Sequence, residues 1–249
     1  MMQQGQKKIA MWSGPRNLST AMMYSFAQRT DTTVVDEPFY AAYLQATAII
    51  HPMREEIIAS GETNPELVTQ FCTGNIPANK TVFYQKHMTK HMIPAFDRNW
   101  IHELCNVFLI RDPARVIASY HAKHEDPQLA DIGVKEQLEL FDAVCQKTGY
   151  APIVIDSSDI LSAPETMIMV LCSAIGIEFQ PAMLHWPTGA RAFDGIWAPH
   201  WYQSVWRSSG FGNAEQAKPE VPSHLRGLLD IANSYYERIK VHAIGLTFQ

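Results

Sequence analysis

Residues 7–28 read Lys-Lys-Ile-Ala-Met-Trp-Ser-Gly-Pro-Arg-Asn-Leu-Ser-Thr-Ala-Met-Met-Tyr-Ser-Phe-Ala-Gln. This segment constrains the fold more than any other. Ile9 to Trp12 form a short apolar run, as a strand covered on both faces would. Ala21, Met22, Tyr24, Ser25 and Phe26 then fit a helix. Between them, Ser13 to Ser19 make a tight polar turn. Such a turn aims free backbone N–H groups at one spot, where the helix N-terminus adds partial positive charge. Arg16 supplies a planar cation, and Ser19 and Thr20 supply hydroxyls. The chemistry that fits is a phosphate or its sulfate analogue. The alternative is an ordinary strand–turn–helix with no ligand.

The nucleotide-kinase loop Gly-x-x-x-x-Gly-Lys-[Ser/Thr] is the natural comparison. Leu18 stands where its second glycine would be, and Ser19 where its lysine would be. Thr20 falls on the hydroxyl position. Without the lysine, the β,γ-phosphate clamp of an ATPase is missing.

Apolar runs alternate with helical patterns along the chain. Strands are expected at Ile9–Trp12, Thr33–Val35, Thr81–Gln85, Asn106–Ile110 and Pro152–Ile155. Helices are expected around Leu18–Gln28, Tyr43–Ser60, Pro65–Gly74, Pro113–His124, Val134–Thr148 and Pro164–Ile175. That alternation implies an α/β fold whose parallel sheet has helices on both faces. Ligands of such sheets bind beyond the carboxyl ends of the strands. Residues 179–213 are rich in Trp, Pro, Gly and His and read as an irregular cap. A final helix is expected from Ser223 to about Lys240.

A chain of 249 residues suits one such domain. The net charge of −5 argues against a nucleic-acid partner, which needs a basic face. The first residues are polar, so no leader peptide is expected, and no apolar run approaches membrane-spanning length. The four cysteines, Cys72, Cys105, Cys145 and Cys172, form no Cys-x-x-Cys pair. Free thiols in a reducing, cytoplasmic compartment are expected.

The fourth expected strand runs into Arg111-Asp112-Pro113, and Ser119 follows eight positions after Arg111. An arginine at a strand end and a hydroxyl on the next helix could grip a second phosphate. The plain alternative is a local Arg111–Asp112 pair. Taken together, Ser-Gly-x-Arg-x-x-Ser-Thr at 13–20 and Arg-Asp-Pro-x-x-x-x-x-Ser at 111–119 resemble the sulfotransferase family. The resemblance is nearest to its bacterial members. It covers roughly residues 7–178 and implies a three-layer fold of P-loop type with about five parallel strands. It implies 3′-phosphoadenosine 5′-phosphosulfate (PAPS) as sulfuryl donor and PAP as product. The acceptor would be a small molecule with a hydroxyl or amine, and neither a metal nor a membrane is implied. Self-association is left open.

Residue by residue, the resemblance assigns Ser13, Gly14, Pro15, Arg16, Asn17, Leu18, Ser19 and Thr20 to the 5′-phosphosulfate loop. Arg111 and Ser119 fall to the 3′-phosphate. Arg207, Ser208 and Gly210 are similar, over a short stretch, to the Arg-Lys-Gly loop of cytosolic members. Departures are Arg16 for the usual lysine, Leu18 for glycine, and Asp156-Ser157 for Tyr-Glu.

Asp36 and Glu37 end the second expected strand and are stopped by Pro38. Successive strand residues point opposite ways, so one of the two carboxylates is expected to enter the crevice. Some bacterial sulfotransferases use a glutamate after this strand, which implies Glu37 as general base. The alternative has Glu37 capping a helix or pairing with a lysine. Lys86 is expected to stabilise the donor's bridging oxygen, with His87 as an alternative base. His87 and His91 are four apart, as a zinc pair on a helix would be, but no third ligand is evident. A kinase or NTPase, or a non-catalytic nucleotide-binding protein of the same fold, are the competing functions.

Overall fold

The apolar run after Lys8 forms the central strand of a sheet that is parallel throughout. This strand, β1 (Lys7–Ser13), lies between β3 (Val82–Met88) and β4 (Cys105–Ile110). Outside them lie β2 (Thr32–Asp36) and β5 (Ile153–Asp156), giving the order β2-β3-β1-β4-β5. The structure is a computed structural model describing residues 5–121, 126–214 and 217–245.

Alternation along β1 divides the core in two. Ile9 and Met11 face Met22, Met23 and Phe26 of α1 (Ser19–Ala27) and Ile168 and Leu171 of α9 (Pro164–Ile175). Ala10 and Trp12 belong to the other face. There they share a core with α4 (Pro65–Thr73), α5 (Pro113–His121), α7 (Val134–Thr148) and α12 (Arg226–Lys240). The expected α/β sheet with helices on both faces is therefore present.

Two boundaries differ from the sequence expectation for physical reasons. The helix expected over Tyr43–Ser60 is two, α2 (Tyr40–Thr47) and α3 (Arg54–Ser60). Ala48 and Met53 take left-handed φ values of 51° and 59° between them, around Pro52, whose ring removes a helix donor. The third strand extends three residues past Gln85, because Lys86 and His87 find their partners within the sheet. The end expected for the fifth helix, residues 122–124, lies outside the described residues. Among the described residues, no helix is long and apolar enough to cross a membrane.

The site follows from the strand order. The β1–β2 crossover runs through α1 on one face. The β4–β5 crossover runs through α5, α6 (Leu129–Ile132) and α7 on the other. The loops leaving β1 and β4 thus diverge at a switch point and open a crevice between them. The cap contributes α10 (Ala198–Trp201) and α11 (Gln203–Trp206). Trp197, Ala198 and Tyr202 pack on Tyr40, Ala41, Leu44 and Ile57 of α2 and α3.

The last helix is tied to the fifth strand by a buried charge. Asp156, 1 % exposed, starts α8 (Ser157–Ser162) by accepting from the Ser158 N–H at 2.8 Å. Its Oδ2 accepts from the Tyr236 hydroxyl at 2.6 Å and from Lys240 Nζ at 2.9 Å. Tyr236→Phe should cost about 1–3 kcal/mol, lowering Tm by several degrees in a thermal melt. An unchanged Tm would mean that this contact does not hold α12.

Candidate active site

Ser13 closes β1, and the chain then turns through Gly14 to Leu18 before α1 starts at Ser19. Arg16 and Leu18 have φ values of 63° and 69°. The left-handed region costs a side-chain-bearing residue roughly 1–2 kcal/mol. Leu18 takes this conformation at the position where the kinase loop carries glycine. Consecutive residues of alternating hand turn their N–H groups to one side, as anion-binding backbone does.

The neighbours hold the loop in that form. Asn17 Nδ2 donates to the Leu109 carbonyl at 3.2 Å, and Gln137 Nε2 donates to the carbonyls of Trp12 and Leu109. Thr89 Oγ1 donates to the Ser13 carbonyl at 3.3 Å. Pro15 packs on Gly133. A Cβ on Gly14 would come within 2.5 Å of the Ile132 carbonyl oxygen. Gly14 is therefore required by the approach of α6. No side chain caps α1, and the buried Ser13 hydroxyl has no partner. Ser19 is buried beside it and Thr20 half-buried.

Arg111 leaves β4 at the facing edge and donates from Nη1 to the Arg16 carbonyl at 2.5 Å. Arg16 Nε donates to Ser119 Oγ on α5 at 3.0 Å. Two motifs 103 residues apart thus meet in one crevice. Burial, and then the Arg111 charge, lower the Arg16 pKa. A bound anion would relieve both penalties.

The second charged group sits over β3 and β2. The expectation that one carboxylate of Asp36-Glu37 turns inward is corrected by the backbone. Glu37 has φ 43°, which breaks strand alternation, while its N–H still donates to the Lys86 carbonyl at 2.9 Å. Both carboxylates therefore reach Lys86, at 2.8 Å for Asp36 Oδ1 and 2.7 Å for Glu37 Oε1. The third ammonium donor goes to the Tyr202 hydroxyl at 2.5 Å. With its side chain 1 % exposed and all three donors used, Lys86 has no N–H left for a donor's bridging oxygen. Burial raises the Glu37 pKa, and Lys86 opposes it. The lysine pairing foreseen as the alternative role of Glu37 is present at Oε1. The other oxygen, Oε2, lies 3.8 Å from His91 Nδ1.

His91 has no expected role beyond the zinc comparison. Its ring is buried, stacks between Tyr40 and Tyr43 at 4.3 and 4.8 Å, and has both nitrogens without a hydrogen bond. Burial lowers its pKa well below the ordinary value. Among the described residues, no group of His, Cys, Asp and Glu is arranged to hold a metal.

His87 points away from this cluster, into the face holding Trp12. It stacks on Trp12 at 4.4 Å, lies near Phe39 and Trp100, and contacts Gln85 Oε1 at 3.1 Å. One residue along a strand separates it from Lys86, so alternation puts the two on opposite faces. Arg207, Ser208 and Gly210 lie elsewhere too. Gly210 bridges to His185, and Ser208 Oγ accepts from Trp186 Nε1 at 3.2 Å. Trp186 packs in the α1 and α9 core, whereas α5 with Ser119 lies across the sheet. Arg207 is exposed. The aromatic segment serves the cap itself. Trp197 meets the Tyr40 ring at 4.9 Å, and Trp206 Nε1 donates to Asp194 at 2.9 Å.

A family model described as a sulfotransferase domain matches residues 7–243. Two Arabidopsis thaliana proteins, named branched-chain-amino-acid aminotransferase-like protein 1 and 2, are 36 % and 32 % identical over 94 % of this chain. The chain spans only 42 % and 41 % of their lengths. A sulfotransferase from Alicyclobacillus acidocaldarius has the same fold, at TM-score 0.55 and 9 % identity, with 95 % of each chain covered. So does the sulfotransferase domain from the curacin biosynthetic pathway, at 0.52 and 14 %, covering 92 % of this chain and 98 % of that one.

Two outcomes follow for the protein itself. Gly14→Ala should lower stability by about 1–3 kcal/mol in urea unfolding, since the new methyl must displace the Ile132 carbonyl. Wild-type stability would refute that packing. Burial pushes the His87 pKa from 6.5 down to about 3. The unfolded chain binds that proton first, so stability is lost as pH falls from about 6.5 towards 3. His87→Phe should flatten the pH dependence by up to ~1.4 kcal/mol per pH unit. Parallel curves would show that His87 is not buried neutral.

Proposed function

The chain belongs to the sulfotransferase domain family, and from that premise we propose that it transfers a sulfuryl group from PAPS to a hydroxyl or amine of a small-molecule acceptor. The observation that carries this is the meeting of Arg16, Arg111 and Ser119 at the crevice beside the uncapped start of α1. The turn at 14–20 and Arg16 would hold the phosphosulfate end. Arg111 and Ser119 would hold the 3′-phosphate. The partnerless Ser13 hydroxyl and the left-handed backbone at Arg16 and Leu18 fit such a group.

Glu37 is the base in this reading. Oε1 is engaged by Lys86, and Oε2 is left to accept the proton of the acceptor hydroxyl or amine. A bond forms from the acceptor atom to sulfur, the bond from sulfur to the bridging phosphate oxygen breaks, and PAP leaves. Arg16 offsets the charge that gathers on the leaving phosphate. Lys86 acts one step back, keeping an ionised Glu37 affordable in a buried place. His91, held neutral by burial with Nδ1 3.8 Å from Glu37 Oε2, is suited to orient the acceptor. His87 and the 207–210 segment take no part. A nucleotide kinase lacks support, because Ser19 stands where its loop lysine would be. Cytoplasmic placement fits the four free thiols.

PAP should raise Tm more than ATP with Mg²⁺ does, and Arg111→Ala should abolish the PAP shift. A larger shift with ATP–Mg²⁺ would transfer the protein to the kinase class. With labelled PAPS and an acceptor library, Glu37→Gln should lower kcat by about 10²–10⁴-fold while PAP binding persists. Full turnover in that variant would remove the base assignment.

A further inference from the structure

Asp36 is the better satisfied of the two carboxylates beside Lys86. Its Oδ1 accepts from Lys86, and its Oδ2 accepts from the Tyr202 hydroxyl at 2.7 Å and the Gly195 N–H at 3.1 Å. Gly195 and Tyr202 both belong to the cap, 159 and 166 residues along the chain from Asp36. The Tyr202 oxygen has no capacity left. It gives its proton to Asp36 and accepts from Lys86 and from Trp197 Nε1, the latter at 3.1 Å. Glu37 receives one donor from this set.

Two carboxylates share one ammonium in a place where an extra negative charge is costly. A purely structural staple would not need the second carboxylate. Asp36 takes more of the available donors, so the proton demand falls on Glu37. The same contacts seat the cap: Gly195 and Tyr202 donate to Asp36 directly, and Trp197 donates to the Tyr202 hydroxyl.

We propose that Asp36 and Tyr202 are positioning residues that hold Lys86 against Glu37 and so tie the charge state of Glu37 to the seating of residues 194–206. The inference rests on the reading of Glu37 as the base. Among the described residues, six side chains face Glu37: Asp36 from β2, Lys86 from β3, Lys90 and His91 from the turn after β3, Tyr40 from α2 and Tyr202 from the cap. Asp36 raises its proton affinity, whereas Lys86 and Lys90 lower it. His91 is held neutral by burial and the neighbouring cations, and burial keeps both tyrosines as phenols.

The charges make the sign of each substitution distinct. Asp36→Asn removes the like charge and leaves Lys86 to Glu37. The acid limb of the kcat–pH profile should then move down by roughly one pH unit. Lys86→Met strands Glu37 beside Asp36, and the same limb should move up. Tyr202→Phe keeps the ring and removes one hydroxyl. It should lower kcat roughly ten- to a hundred-fold and speed proteolytic cleavage within 187–213. PAP affinity, measured by calorimetry, should stay within about twofold in all three, since the anion loop is untouched.

The measurement is the set of kcat–pH profiles with labelled PAPS, together with limited proteolysis of each variant. Opposite shifts for Asp36→Asn and Lys86→Met, with a loosened cap in Tyr202→Phe, support the proposal. Unmoved acid limbs in variants that still bind PAP overturn it, as does wild-type kcat and cleavage in Tyr202→Phe. Should Asp36→Asn fail to fold, the Tyr202→Phe outcome decides alone. Glu37→Gln separates the two levels. If it is inactive while the limbs stay put, only the positioning role falls. If it is fully active, the base reading falls and this inference with it.

Discussion

The contact between Arg16 and Ser119 depends on a backbone that Arg16 adopts at a cost. At φ 63° its side chain leaves the turn towards β4 and α5 instead of lying along α1. Everything that holds the turn sits behind it. Asn17 and Gln137 bond to the carbonyls at the ends of β1 and β4, Thr89 bonds to Ser13, and the Ile132 carbonyl fills the space that a Gly14 methyl would need. The strain is local, and what offsets it comes from the bonds of Asn17, Gln137 and Thr89 and from the packing of Ile132 on Gly14. A strained turn is thereby held rigid on an ordinary sheet edge, as the proposed anion site needs.

The carboxylate–lysine group obeys different energetics. Removing three charges from water is expensive, and hydrophobic residues of the same volume would often serve stability as well or better. Its presence at the ends of β2 and β3, with every ammonium proton used, is what the proposed chemical role would account for. The left-handed backbone at Glu37 points the same way. It costs free energy in the folded state, and what it gains is a second carboxylate on the face where strand alternation would allow one.

The legible parts of the chain were those fixed by short-range pattern. The strand–turn–helix at 7–28 and the Arg111–Ser119 spacing place their residues through local geometry alone, so the crevice could be drawn before any contact was known. The Asp36–Lys86 pairing could not. It needs the register that sets β2 beside β3, and nothing local to either strand encodes that. The family resemblance makes His87 an alternative base at the edge of the third strand, with that strand expected to end at Gln85. Once the strand runs to Met88, alternation sends His87 into the Trp12 core. Tyr202 was hidden among aromatics whose spacing has no period, and the similarity of 207–210 to a phosphate loop rested on three residues, of which Gly210 bridges to His185, Ser208 bonds to Trp186 and Arg207 is exposed. The split between α2 and α3 was foreshadowed only by Pro52.

The two charged groups stand on one sheet edge in the order of the strands beneath them. Over β4 and β1 lie Arg111 and Arg16, a positive pair. Over β3 and β2 lie Lys86, Asp36 and Glu37, which carry one net negative charge when both carboxylates are ionised. Tyr40, Tyr43 and Tyr120 lie between, and burial keeps each a neutral phenol. An anionic ligand is drawn to the first group and repelled by the second, so it is sorted to one side of the crevice by field alone. A neutral hydroxyl or amine feels neither force strongly and can approach Glu37. In the proposed reaction the separation would also protect Glu37 as the base, since a phosphate oxygen beside it would raise its proton affinity. On the proposed function, the spacing set by one strand width on each side of β1 would keep a place for an anion and a place for a proton apart, yet within reach of one another.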